Sequence, residues 1–220
     1  MSNIITIDGP GGSGKSTVSR LLAKRINYLY LDTGAMYRAV ALAADRKGIG
    51  PKDGKKLDNM CSSLDLLFKT DEDPPRLFLD KEDISIEIRR TEMDMLSSII
   101  SNVKEVRIAM TDIQRRMAKG QQIVAEGRDM GTVVFPKADH KFFLKAEPEV
   151  RAERRYRERL AKGEAVTKTT VKADLEKRDS QDETRSLAPL IPAEDAKVID
   201  STSLTPEEVV DKMLGYIKKK

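Results

Sequence analysis

Lys15 stands in the stretch Gly9-Pro10-Gly11-Gly12-Ser13-Gly14-Lys15-Ser16-Thr17, which fits G-x-x-x-x-G-K-[ST] in full. That spacing suits one task, wrapping backbone around phosphate. Glycines let the chain approach an anion without Cβ clashes. The N–H groups of the turn, and the helix that should begin near Lys15, supply positive potential. Lys15 is expected to reach the β- and γ-phosphates. The Ser16 hydroxyl is expected to meet Mg²⁺, itself held mostly through water and nucleotide. ATP and Mg²⁺ are therefore the expected cofactors, with Gly9 to Thr17 as the ATP-binding set.

The arginines suggest a second phosphate. On a charged helix expected over Pro148–Leu160, Arg151, Arg154, Arg155 and Arg159 share one face. Arg38, Arg128, Arg178 and Arg185 fall in loops or near helix starts. Arginine grips phosphate through two parallel hydrogen bonds. ATP carries about four negative charges and a nucleoside monophosphate about two more, so a donor–acceptor pair accounts for the arginines better than ATP alone. The competing reading is a solvated helix, with Glu153 and Glu158 pairing along it. An acceptor phosphate is already anionic and needs no general base. It needs alignment and charge neutralisation. This agrees with a chain whose one histidine is His140 and whose one cysteine is Cys61, with no residues for a zinc set or a nucleophile triad. The arginine helix then reads as a lid that brings positive charge and excludes water.

These residues must be positioned by strands and helices. Ile4–Asp8 reads as a buried strand before the glycine-rich turn, and Val18, Leu21, Leu22 and Ile26 continue at helical spacing. A second strand is expected at Tyr28–Leu31, then a helix over Ala35–Arg46. Between Gly48 and Pro75 the chain turns polar around a short helix, Lys55–Cys61. Strands are expected at Leu64–Phe68 and Arg76–Leu79, joined by a turn at Thr70–Pro74, with Ile84 and Ile86 alternating in a third segment. Helical periodicity returns in two pieces from about Arg89 to Lys119. Further strands are expected at Ile123–Ala125, His140–Ala146 and Val198–Ile199, and further helices at Val171–Asp179 and from Pro206. Buried strands separated by helices predict an α/β fold: a three-layer α/β/α arrangement with a parallel sheet of about five strands. A small antiparallel insertion and the helical lid stand apart from it. Loops at the carboxyl ends of such strands line the ligand crevice, which would bring in Asp32, Thr33 and Arg128.

Composition sets the outer limits. The 220 residues are 39% hydrophobic and 35% charged, and no apolar run approaches a bilayer span. A strand runs straight into the phosphate loop, so no leader is expected. A single cysteine points to a reducing cytoplasm. The net charge of +4 is too mild to mark a nucleic-acid binder, and 5% aromatic residues offer few stacking positions. No asparagine is followed by lysine, so a guanine-reading Asn-Lys-x-Asp motif is absent. Lys218–Lys220 reads as a solvated tail.

The order of motifs resembles the bacterial cytidylate kinases, in the nucleoside monophosphate kinase group of P-loop kinases. The resemblance rests on Ile5–Pro10 with the phosphate loop, Leu31–Arg38, Glu126–Pro136, Phe142–Leu144, Arg178-Asp179 with Asp182, Arg185, Ala188–Leu190 and Asp200-Ser201, nearly the whole chain. It implies transfer of the γ-phosphoryl group of ATP to CMP or dCMP. Arg38, Arg128 and Arg185 match the positions that hold the acceptor phosphate. Arg178 and Asp182 match those at the sugar hydroxyls. Ser98, Arg107 and Asp129 match those that read the base, and Thr33 and Tyr37 join the CMP-binding set. The catalytic set is Lys15, Arg128 and Arg185 with Arg151, Arg154 and Arg155 of the lid. Glu126 matches a water-mediated Mg²⁺ contact. Thr33 departs from the Ser of some members, and Ser16 from the Gly of others that rely on the hydroxyl of the next residue. The implied division is a core at 1–34, a monophosphate-binding region with the antiparallel insertion at 35–104, core again at 105–147, a lid at 148–168 and core at 169–220. Partners are CMP, dCMP and ATP, with no nucleic-acid polymer and no membrane, and a monomer is expected. The alternative is a P-loop kinase of another small acceptor such as UMP, AMP or shikimate.

Overall fold

A computed structural model of the chain describes residues 3–69, 72 and 75–218. Most of the turn expected at Thr70–Pro74, and Lys219 and Lys220 of the tail, lie outside the described residues. In chain order the elements are β1 (Ile4–Asp8), α1 (Lys15–Ile26), β2 (Leu29–Asp32), α2 (Thr33–Arg46), α3 (Gly54–Ser63), β3 (Leu66–Lys69), β4 (Arg76–Leu79) and β5 (Glu82–Asp83). They continue as α4 (Thr91–Ile100), α5 (Lys104–Ala118), β6 (Ile123–Gly127), β7 (His140–Lys145), α6 (Pro148–Ala161), α7 (Lys168–Thr184), β8 (Lys197–Asp200) and α8 (Pro206–Ile217). Two compact units divide them. One comprises residues up to Leu31 and from Gly120 onward, the other Asp32–Lys119.

The first unit is built on a five-stranded sheet in the order β2-β6-β1-β7-β8. β1 runs parallel to β6 and β7, and β7 parallel to β8. β1 is central, and Ile5, Thr6 and Ile7 are all fully buried, as a strand covered on both faces requires. Val18 and Leu22 of α1 join Ile5, Ile7, Val124, Phe142, Leu144 and Ile199 with Val209, Val210 and Met213 of α8 in one core. Each fully buried large apolar side chain there contributes on the order of 2 kcal/mol. α8 begins where its sequence says it should. The Thr205 hydroxyl accepts from the Glu208 N–H at 3.2 Å, the Glu208 carboxylate accepts from the Thr205 N–H at 2.8 Å, and Pro206 opens the helix.

In the second unit α2 packs on α4 and α3 on α5, with a three-stranded antiparallel sheet, β3-β4-β5. Met36, Val40, Leu57, Met60, Ile88, Ile100 and Met110 are buried there. Cys61 is buried too, and burial pushes its thiol up to about 11, so it behaves as a small apolar residue. The alternation of Ile84 and Ile86 does not make a strand. The third strand is Glu82–Asp83, and Asp83 Oδ1 accepts the Ser85 N–H at 3.0 Å, which turns the chain out of the sheet. Ile84 stays buried while Ile86 is 87% exposed.

Candidate functional site

The phosphate loop is held by close packing. A Cβ at Gly9 would lie 2.2 Å from the Leu144 carbonyl oxygen, so no other residue fits there. At Gly12, φ is +73° and a Cβ would sit 2.7 Å from the Arg151 carbonyl oxygen. Lys15 is buried and its ammonium donates to the Pro10 carbonyl at 3.2 Å, folded back over the loop. Burial lowers its pKa to about 7, helped by the charge of Arg128 and opposed by Glu126. The Ser16 hydroxyl donates to Glu126 Oε2 at 2.9 Å, and the Tyr30 hydroxyl donates to the other oxygen of the same carboxylate. Thr17 is exposed on the next position of α1. The nearby donor set is one hydroxyl and one carboxylate, hard oxygens that suit a Mg²⁺ ion bound largely by water and nucleotide.

Beside the loop lies a network of arginines and carboxylates contributed by the end of β6 and by α7. Arg128 Nε donates to Asp182 Oδ2 at 2.8 Å, and Arg185 lies 3.5 Å from the other Asp182 oxygen. Arg185 is also 3.8 Å from Asp129 Oδ1 and donates through Nε to the Ala188 carbonyl at 2.6 Å. Burial alone would raise the Asp182 carboxyl, but Arg128, Arg178 and Arg185 hold it below the usual range. Burial likewise works against the Arg128 cation, and Asp182, Asp179 and Glu126 more than offset it. Lys15, Glu126, Arg128, Asp129, Arg178, Asp182 and Arg185 are therefore brought into one electrostatic cluster. The sequence ended α7 at Asp179, yet it runs to Thr184. Its apolar anchors, Val171 and Leu175, lie in its first half, so the periodicity fades before the helix does.

The arginine helix α6 divides its labour. Arg151 donates to the Ala146 and Gly11 carbonyls, each at 3.1 Å, and pairs with Asp179. Arg154 donates to the Ser201 hydroxyl at 3.1 Å and the Ser201 carbonyl at 2.7 Å, while that hydroxyl donates to the Ser13 carbonyl at 2.9 Å. Both arginines thus brace the phosphate loop from outside. Arg155 pairs with Glu158 at 2.7 Å. Arg159 does not share in this. It is buried, bonded to Glu164 at 2.7 Å and Asp174 at 2.9 Å, and it ties α6 to α7. Helical spacing put it on the arginine face but could not show the carboxylates waiting for it.

The remaining expected residues belong to the second unit. Asp32 caps α2 by accepting the Ala35 N–H at 2.8 Å, with Thr33 buried at its first position. Arg38 lies between Asp32 at 3.5 Å and Asp94 at 3.6 Å. Arg107 is buried, donates to the Ser101 carbonyl at 3.1 Å and places its guanidinium 5.7 Å from the centre of the Tyr37 ring. The Ser101 hydroxyl donates to the Ser98 carbonyl at 2.8 Å. Ser98 and Arg107 are thereby linked through Ser101, and Tyr37 joins them through the Arg107 guanidinium.

Sequence reasoning missed Tyr30, Asp179 and Ser201 as parts of the site, and placed Asp8 only at the end of the first strand. Asp8 ends β1 and Ser201 directly follows the end of β8, a positional signal that would have flagged them. Nothing in the sequence marks the Tyr30 contact.

A parallel sheet with a phosphate loop between its central strand and a helix, braced by arginines, defines the P-loop kinase class of α/β folds. Two solved structures share the architecture. An uncharacterized protein from Eubacterium ventriosum superimposes with a TM-score of 0.57 at 13% identity, covering all of both chains. Shikimate kinase from Bacteroides thetaiotaomicron does so at 0.50 and 11%, over 98% of each chain. At such identities only the fold is shared. The sequence is more telling. The family profile described as cytidylate kinase matches residues 5–219. The cytidylate kinase of Geobacter sp. (strain M21) is 48% identical over 217 residues, 99% of this chain and 93% of that one. The chain belongs to the cytidylate kinase family.

Proposed function

We propose that this chain transfers the γ-phosphoryl group of ATP to CMP or dCMP, giving ADP and CDP or dCDP. The observation that carries the reading is the buried cluster of Lys15, Arg128, Asp182 and Arg185 beside the phosphate loop. It provides cations for two sets of phosphates, the alignment and charge neutralisation that an anionic acceptor requires. Gly9 to Thr17 hold the ATP phosphates. Lys15 swings from the Pro10 carbonyl to the β- and γ-phosphates and neutralises charge as the group crosses. Mg²⁺, when bound near Ser16 with Glu126 behind it, neutralises further phosphate charge.

The acceptor phosphate is held by Arg38, Arg128 and Arg185, and the sugar hydroxyls by Arg178 and Asp182. Thr33 and Tyr37 complete the CMP-binding set. Cytosine presents an exocyclic amine beside two acceptors. Asp129 and Ser98 accept from the amine, and Arg107 donates to the ring nitrogen and the 2-carbonyl. Uracil would set a carbonyl against the Asp129 carboxylate, and a site built around a donor rejects an analogue lacking it. Arg151, Arg154 and Arg155 serve as the lid's cations. Arg151 and Arg154 act through the phosphate loop that they brace, holding its N–H groups toward the anion.

No helix among the described residues is long and apolar enough to cross a membrane. A cytoplasmic monomer is the setting we propose. The test is ADP release from ATP and Mg²⁺ with CMP, dCMP, UMP, AMP and GMP each as acceptor. Turnover led by CMP and dCMP, with little from UMP, is expected. Turnover led by another monophosphate would overturn the cytosine site and leave the ATP half standing.

A further inference from the structure

Asp8 is the last residue of β1 and immediately precedes the phosphate loop, yet its carboxylate points at neither Lys15 nor the loop. It is 4% exposed. One oxygen accepts the Met130 N–H at 2.9 Å, the other the Gly131 N–H at 2.8 Å. These are the leading N–H groups of a π-helical turn, Met130–Val134, whose own bonds run from the N–H groups of Val133 and Val134 back to the Asp129 carbonyl at 2.9 and 3.1 Å. Donors at the start of a helical turn have no partner within it and must find one elsewhere. Here the partner comes from another strand. Packing leaves little slack, since a Cβ on Gly131 would lie 3.0 Å from the Thr6 hydroxyl and 3.4 Å from Asp8 Oδ2. Arg128 and Asp129 lie directly between β6 and this turn, and Asp129 has φ −145° and ψ 23°, a conformation of neither helix nor strand. A side chain leaving such a backbone aims wherever its two ends are fixed. β6 fixes one end and Asp8 the other.

We propose that Asp8 is a positioning residue for the acceptor: by clamping the turn after Asp129 it sets the aim of the base-reading carboxylate, so a residue at the mouth of the donor loop governs the choice of acceptor base. The inference rests on the reading of Asp129 as the group that faces the cytosine amine. A residue that only supported the phosphate loop would act on ATP. Asp8 touches the acceptor side, so its loss should be felt there.

The experiment uses the full-length enzyme, wild type and Asp8→Asn, with CMP and UMP as acceptors and ATP as donor. In the variant the amide offers one acceptor and sets an N–H₂ group against the second N–H. We expect KM for CMP to rise and the CMP-to-UMP ratio of kcat/KM to fall, each about tenfold, the effect of one lost hydrogen bond to a charged group. KM for ATP should stay within about twofold. Gly131→Ala disturbs the same contact from the other side and keeps Asp8. It should shift selectivity in the same direction, and its effect should be less than additive with Asp8→Asn. Should Asp8→Asn fail to fold, Gly131→Ala alone decides, since unchanged selectivity in that variant overturns the proposal. A folded Asp8→Asn enzyme with wild-type selectivity, or one in which KM for ATP and for CMP move together, overturns it equally. A wild-type enzyme with no preference for CMP over UMP would instead defeat the reading of Asp129 on which it rests.

Discussion

Replacing Asp8 by Asn separates what this carboxylate costs from what it does. Burial, the largest influence, raises its pKa from 3.8 to about 6; the Gly131 and Met130 N–H groups lower it, Asp129 raises it and Arg128 lowers it. The folded state therefore holds the proton more tightly than the unfolded one. The resulting stabilisation is complete below the unfolded pKa near 3.8 and is lost as pH rises through about 6. At about 1.4 kcal/mol per pKa unit, the ionised group costs on the order of 3 kcal/mol at neutral pH. At about pH 4.5 folded Asp8 is almost wholly protonated, and about 2 kcal/mol of that cost is absent. Asn does not ionise. Whatever fixed penalty its misdirected amide incurs, roughly 1–3 kcal/mol, does not change with pH. The stability of wild type relative to Asp8→Asn should thus fall by about 2 kcal/mol between about pH 4.5 and about pH 7. Urea denaturation of both proteins at about pH 4.5, 5.5 and 7 measures this. Parallel curves, differing by a constant to within about 0.5 kcal/mol, would refute the buried, ionised Asp8 on which the argument depends.

Lys15→Ala should lower kcat at least about 100-fold while the thermal midpoint shifts by only a few degrees, because in the proposed reaction the side chain's work lies in charge neutralisation. Steady-state rates and a melting curve check both. Asp129→Ala should relax the choice of CMP over UMP more than it changes ATP affinity. An unchanged ratio would remove Asp129 from the base site. Arg159→Gln should destabilise by about 1–2 kcal/mol, since its partners Glu164 and Asp174 are partly exposed and screened, and should leave KM for ATP and CMP unchanged.

The buried strands were legible because β1 and β6 carry apolar residues on both faces, and the phosphate loop because its glycines answer a local steric demand at positions such as Gly9 and Gly12. α7 was read short because its second half is held by ion pairs and not by an apolar stripe. Arg159 and Arg151 look alike on the helical wheel, and only the position of Asp174 or Asp179 on another helix separates a structural tie from a brace on the phosphate loop. Tyr30 was illegible as a site residue, and so was the segment that Asp8 grips despite its telltale place at a strand end: each acts on residues about a hundred positions away, and local pattern carries no register between strands.

The acidic residues of the site follow from the basic ones. A guanidinium buried without a partner is strongly destabilising, so arginines held in advance for the proposed phosphates require carboxylates to keep them company. Asp182 does this for Arg128 and Arg185, and Asp179 for Arg151. In the proposed complex these arginines are thus oriented before any nucleotide arrives, and the anions would meet a set of aimed donors whose charge is already largely balanced. Such a site favours geometry over long-range attraction. It also changes how a variant must be read. Asp182→Ala would remove a sugar contact in the proposed complex, but it would also strand Arg128 and Arg185 in a buried setting. A rise in KM for CMP in that variant therefore reports the arginines' misplacement together with the lost contact. Only a double cycle with Arg128→Ala would apportion the two.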